Sequence, residues 1–162
     1  FSAPNRLELT LSGVRKIDFD ALFKSLLGTE AVRDAYRIMV LDDPSYGIVI
    51  VLNEGWSCEI TEYSDPGALM LNFIESAPSG EDEVYYLRSE AMTYTDELGL
   101  LCEEYHAEAA TQLRTLSGEY IVTIGQYATR AEAEEALAAL NEMHGESGFF
   151  VASGAPGDTP EN

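Results

Sequence analysis

Lysine is almost absent from this chain, with only Lys16 and Lys24 among 162 residues. Arginine brings the cations to 9 against 29 acids, a formal net charge of -20. A field of that sign repels phosphate backbones and anionic membrane surfaces, and it attracts basic partners. Cysteine is as scarce: Cys58 and Cys102 are too few for a disulfide scaffold. Each falls at an apolar-pattern position and reads as a buried free thiol, although one bridge fits the count. No run of 18 apolar residues is present, and no basic segment precedes an apolar one. Neither a membrane span nor a signal peptide is therefore expected. Cytoplasmic residence is the default, with a mature exported protein as the alternative.

The acids are unevenly placed. Residues 1–40 hold six Lys/Arg and five Asp/Glu, whereas residues 41–162 hold only Arg88, Arg114 and Arg130 against 24 acids. A salt-adapted proteome would spread its acidity along the whole chain, so the near-neutral start weighs against that origin. With 46% apolar residues the chain carries enough hydrophobic material for a core, and the acids must sit outside it. The length suits one domain, expected over residues 1–153. The Gly/Pro/Asp-rich residues 154–162 are expected to be a disordered tail.

Leu7, Leu9 and Leu11 alternate with polar residues as in a half-buried strand. Asp18 suits the N-cap of a helix carrying Leu22, Phe23, Leu26 and Leu27. Thr29 is placed to restart a second turn set, with Val32, Ala35 and Tyr36 facing inward. The middle is a meander: an apolar run from Gly47 to Leu52, alternation at Trp56, Cys58 and Ile60, then at Leu69, Leu71 and Phe73, and a strand from Val84 to Leu87. The turns fall at Asp42-Asp43-Pro44, at Ser64-Asp65-Pro66-Gly67 and in the breaker-rich Ser76 to Gly80. A helix is expected from about Thr93 to Thr115, a strand from Tyr120 to Ile124, and a helix opened by the capping box Thr129-x-x-Glu132. A last strand spans Gly148 to Ala152. This pattern predicts an α+β fold: a mostly antiparallel sheet of about five to six strands with two or three helices packed on it.

No pattern for catalysis stands out. Glu103 and His106 supply one Glu-x-x-His, whereas a di-iron bundle needs two such motifs and two more glutamates. The plainer role for His106 is local pairing with Glu103, and for His144 a place at a helix C-terminus. No zinc cluster, calcium loop, nucleophile elbow or phosphate-cradling loop occurs. A non-enzymatic protein without cofactor or bound metal is expected.

Nine tyrosines are a stronger signal, because a rigid ring with a hydroxyl suits binding surfaces. Tyr85 and Tyr86 must point to opposite faces of a strand, one inward and one outward. Asp82, Glu83, Tyr86, Glu90, Asp96, Glu97 and Glu104 form the candidate contact set, an acidic rim around aromatic anchors. Tyr120 to Ser153, with its Val- and Gly-bearing strand, Thr-Arg-Ala-Glu helix and second strand, resembles half of a SPOR-type peptidoglycan-binding repeat. The resemblance covers about a fifth of the chain, the other half is missing after Gly154, and no ligand-binding residue is carried across. In size, acidity and mixed topology the chain is also similar to bacterial immunity proteins and secretion chaperones.

These features together favour an acidic binding protein that inhibits or neutralises a basic protein partner, of immunity or inhibitor type and potentially a nucleic-acid mimic. No direct nucleic-acid contact and no membrane contact are expected. The alternatives are a dimeric secretion chaperone or structural subunit, and a small metal-dependent enzyme using Glu103 and His106.

Overall fold

The computed structural model describes residues 3–42, 44–65, 67–77, 83–155 and 157–162. In the N-terminal half, β1 (Arg6–Ser12) and β2 (Val32–Ile38) both pair antiparallel with a central β3 (Ser45–Leu52). The apolar run of β3 is buried from Gly47 to Leu52, as a strand covered on both faces requires. One face of this sheet packs on α1 (Phe19–Leu27) and on the hairpin of β4 (Trp56–Ser64) and β5 (Gly67–Glu75). Leu26, Val32, Ala35, Ile50 and Leu52 form that cluster, with Trp56 and Phe73 against it. Asp18 opens α1, its carboxylate accepting from Ala21 N at 3.1 Å.

The second half is a βαββαβ unit. It comprises β6 (Val84–Arg88), α2 (Asp96–Glu104), β7 (Thr111–Arg114), β8 (Tyr120–Tyr127), α3 (Arg130–His144) and β9 (Phe150–Gly154). Its antiparallel sheet runs β7-β8-β6-β9, the split order of ferredoxin-like units. Both helices lie on one face, where Leu87, Val122 and Ile124 meet Leu98, Tyr105, Ala133 and Leu140. The capping box of α3 is complete, Thr129 and Glu132 each satisfying the other's backbone N–H.

A side chain joins the halves. Gln112, only 2% exposed, accepts from Met39 N at 2.8 Å and donates to Met39 O at 2.8 Å. It thereby mimics a ladder pair between the ends of β2 and β7. Beside it Arg114 grips Asp34 at 2.6 Å, and Tyr36 accepts from Arg114 N at 3.2 Å. Tyr36, Ile38, Val49 and Val51 complete the same core as the helices of the second half.

The fold is therefore mixed α+β with three helices and antiparallel strands, but the strands form sheets of three, two and four rather than one sheet of five to six. The hairpin pairs only with itself among the described residues, and a glutamine stands where a backbone ladder would have merged the other two sheets. The expected second turn set after Thr29 is β2 instead. A bulge between Val32 and Asp34 puts Val32 and Ala35 on one face, which imitates helical spacing. The expected helix from Thr93 to Thr115 stops at Glu104. Ala109 adopts a left-handed φ of 56°, and Thr111–Arg114 pair with β8. Residues 157–162, inside the expected tail, lie against the body: Leu116 N donates to Pro160 O at 2.9 Å, and Pro160 is buried. Asp43 and Pro66 of the expected turns, the breaker residues 78–80, Pro156 of the expected tail and Asp82 of the contact set lie outside the described residues.

Replacing Gln112 by leucine leaves both backbone groups of Met39 without their partner. Urea unfolding of Gln112→Leu is expected to register a loss of about 2–3 kcal/mol. An unchanged midpoint would show that the clamp is not what couples the halves.

Candidate functional site

Strand alternation gives the four-stranded sheet a second face, opposite the helices. It carries Tyr86 and Arg88 from β6, Thr111 and Leu113 from β7, Ile121 and Thr123 from β8, and Ala152 from β9. The face is apolar along its middle, with Tyr86 5%, Leu113 1% and Ile121 0% exposed. Among the described residues no helix covers it, and two ends of the chain do. On one side Ala3 and Pro4 are buried, and Gln126 Nε2 donates to Ala3 O at 3.1 Å. Arg6 Nη2 donates to Thr111 Oγ1 at 3.0 Å, and that hydroxyl is 3.0 Å from Thr123 Oγ1. On the other side residues 157–162 are held by Arg88, whose Nη1 donates to Glu161 O at 2.6 Å. Ser117 adds a bond to Asn162 Oδ1 at 2.6 Å.

The cover is incomplete. Two cavities flank Tyr86. The larger, about 710 Å³, lies under the C-terminal segment with Arg33, Arg88, Ser153 and Asp158 in its wall. The smaller, about 270 Å³, lies by Ala3 with Arg6, Thr111, Thr123 and Gln126. Burial dominates the electrostatics here. It lowers Arg6 to about 10, against the attraction of Tyr36 and Glu8. It also pushes the Tyr86 hydroxyl above its ordinary range, opposed by Arg88 and Arg6. Glu8, two residues along β1 from Arg6, is raised by burial more than Arg6 lowers it, and its Oε2 has no hydrogen-bond partner among the described residues. A rigid ring, three guanidinium groups, two threonine hydroxyls and a carboxamide can together recognise a polar, ring-shaped ligand.

The residues singled out from sequence are scattered over this half. Glu83 precedes β6 and accepts from Ser153 Oγ at 2.7 Å and Tyr85 OH at 3.0 Å; these bonds, the serine's first, hold its carboxyl below its ordinary range. Glu90 lies beyond the other end of β6, Asp96 and Glu97 are exposed in the first turn of α2, and Glu104 is exposed at its end. No hydrogen bond joins any two of these acids among the described residues. Tyr86 is the inward member of its pair, buried between the two cavities, and Tyr85 is the more exposed one. Glu103 and His106 make no bond to each other; instead His144 meets Glu108 at 2.8 Å and rests on the Tyr105 ring. The described residues contain no group of three His, Cys, Asp or Glu suited to a metal. Cys58 and Cys102 are free and belong to different clusters. Sequence reasoning missed Arg6, Arg33 and Arg88 at the face. The available signal was Arg88, one of three cations after residue 40, in a strand otherwise apolar.

Comparison with known proteins finds a similarity confined to this half. Residues 87–152 match the model of the SPOR domain, which covers fewer than half of the 162 residues. No curated protein and no solved structure matches the chain significantly. The matched segment runs from β6 into β9, so the partner of the Tyr120–Ser153 half lies upstream rather than after Gly154. Reading residues 93–115 as one helix conceals β7 and with it that half. SPOR domains are non-catalytic modules that bind denuded glycan strands of peptidoglycan, typically outside the cytoplasm. The expectation of a non-enzymatic protein stands. The match overturns the basic protein partner, and with it the immunity, inhibitor, nucleic-acid-mimic, chaperone and metal-enzyme readings. It equally overturns the cytoplasmic assignment. No helix among the described residues is long and apolar enough to cross a membrane.

Glu8 makes the packing of β1 against this half depend on pH. Its carboxyl is raised in the folded chain, so its contribution to stability is complete below the ordinary carboxylate range and is lost as pH rises through the raised value. Glu8→Gln should therefore gain thermal stability over the parent as pH goes from about 4 to about 7. A constant difference across that window, measured by calorimetry, would refute a buried Glu8 charge.

Proposed function

We propose that the βαββαβ unit is a glycan-binding module that takes strands of peptidoglycan along the helix-free face of its sheet, outside the cytoplasm. The observation that carries this reading is a coincidence of two boundaries. The SPOR match over residues 87–152 falls within the βαββαβ unit, and that unit has a face without helices, bordered by two cavities. Sugar rings offer apolar C–H faces and polar edges, and the groups of this face answer both. Tyr86 presents a ring, while Thr111, Thr123 and Gln126 present hydroxyl and amide groups. Direct and water-mediated bonds to such groups give orientation, and the aromatic contact gives much of the affinity.

In this reading residues 1–153 act as one folded unit, with β1, β2 and β3 supporting the module from the side. Beyond it, residues 157–162 partly roof the face.

Peptidoglycan sacculi provide the test. The protein is expected to sediment with sacculi whose stem peptides have been removed enzymatically, and several-fold less with intact ones. Thr123→Val, which keeps shape and removes a hydroxyl from the smaller cavity, should weaken retention by about threefold to tenfold, as loss of one hydrogen bond implies. Equal recovery in the supernatant with and without stripped sacculi would eliminate the proposal.

A further inference from the structure

At the β9 end of the face two cations grip the chain's own backbone. Arg88 is 6% exposed. Its Nε donates to Ser89 O at 3.1 Å and its Nη1 to Glu161 O at 2.6 Å, while Nη2 has no hydrogen-bond partner among the described residues. Arg33, from β2, donates to Gly157 O and to Asp158 O. Neither guanidinium has a carboxylate oxygen within 4.0 Å among the described residues. The contrast with the other late arginines is sharp: Arg114 holds Asp34 and Arg130 holds Glu134. Two cations whose hydrogen bonds go only to carbonyl oxygens, Arg88 lying also over the Phe150 ring at 5.3 Å, are out of keeping with a chain of net charge -20. A buried guanidinium donor without an acceptor costs free energy, which a suitable anion would recover.

Carboxylate is the anion that fits. It matches the guanidinium fork with two parallel bonds, and it brings a single negative charge into an acidic surround. The segment now lying there is acidic too, with Asp158 and Glu161 in the wall of the same 710 Å³ cavity. It is also lightly held. Pro160 is buried, and the remaining ties among the described residues are single hydrogen bonds: from Arg33, Arg88, Leu116 and Ser117, from Asn162 Nδ2 to Glu119 Oε2 at 2.7 Å, and between Asp158 and Ala155.

We propose that Arg88 and Arg33 form a carboxylate subsite at the β9 end of the face, occupied by residues 157–161 of the chain itself until a carboxylate-bearing glycan displaces them. This rests on the glycan-binding reading and gives it a substrate feature and a built-in competitor. Once stem peptides are removed, the lactyl ethers of a peptidoglycan strand end in free carboxylates, so the subsite would prefer bare strands to those whose carboxylates are capped. Residues 157–161 then act as a strap whose release is coupled to binding.

The amide of Leu116 reports on the strap, since it donates to Pro160 O from an otherwise exposed residue. The full chain is titrated by NMR with soluble bare glycan strands, and in parallel with the same strands after chemical amidation of their carboxylates. Binding of the acid strands is expected to be at least about tenfold tighter than that of the amidated ones, the worth of a charged hydrogen-bond pair. Leu116 should lose hydrogen-exchange protection as the acid strand saturates. Arg88→Gln, checked for folding by its thermal midpoint, should erase the preference for acid strands. Arg33→Gln should reduce the preference in part. Equal binding of both strands leaves the glycan reading intact and overturns the carboxylate subsite. A preference for acid strands with Leu116 still protected overturns the strap. Binding of neither strand overturns the glycan reading and this proposal together.

Discussion

A four-stranded sheet with both helices on one side leaves its other face to be covered or wetted, and the remainder of this structure follows from that constraint. Leu113, Ile121 and Tyr86 make the face too apolar to leave open. The chain covers it with its own ends, Ala3 to Arg6 from one side and residues 157–162 from the other. Ala3, Pro4 and residues 157–162 lie outside the strands and helices, so they add no ladder of hydrogen bonds of their own. Single contacts hold them instead: Arg6 on Thr111, Gln126 on Ala3, Arg88 on Glu161 and the Leu116 amide on Pro160. Covers secured this way open at lower cost than a packed helix.

Charge sharpens the same point. With so few cations in the chain, the placement of each carries information. Arg37 stacks over Phe19 at 4.5 Å, Arg114 and Arg130 hold carboxylates, and Arg6, Arg33 and Arg88 line the covered face. A third of the 9 cations thus borders one face of one sheet in a molecule that is otherwise acidic. Long-range repulsion from the surrounding carboxylates would discourage polyanions in general, while short-range guanidinium contacts admit an anion of the right shape. Selectivity then comes from geometry and not from bulk charge.

The sequence made local structure legible where one physical signal acted alone. Asp18 and the Thr129–Glu132 pair mark helix starts because capping is decided within four residues. Alternation through Trp56, Cys58 and Ile60 marks β4 because the hairpin partner is the next segment along the chain. Legibility failed where distant parts intervened. Val32 and Ala35 share a face only because of a bulge set by pairing with Leu52 and Val51. Leu113 follows a helical spacing from Leu98, Cys102 and Tyr105, yet belongs to a strand, because Ala109 turns left-handed and β8 supplies a ladder. Of the candidate site, Tyr86 was visible but its inward direction was not, since Tyr85 and Tyr86 are equivalent by pattern. The acidic set misled for a simple reason: solvated carboxylates on α2 need no partner, and composition alone cannot separate them from a docking surface.

The N-terminal half is more than an appendage to the βαββαβ unit. Gln112 clamps Met39, Arg114 grips Asp34, and Val49 and Val51 share a core with Leu98 and Leu140. Two of the groups at the helix-free face, Arg6 and Arg33, belong to β1 and β2. The first sheet therefore supplies one cation to each cavity. A ligand drawn into either cavity would bear on both halves at once, stabilising the contact between them by the mass-action rule that favours any state the ligand prefers. The unit matched by the family supplies the sheet, and the residues before it supply much of the charge with which that sheet can discriminate.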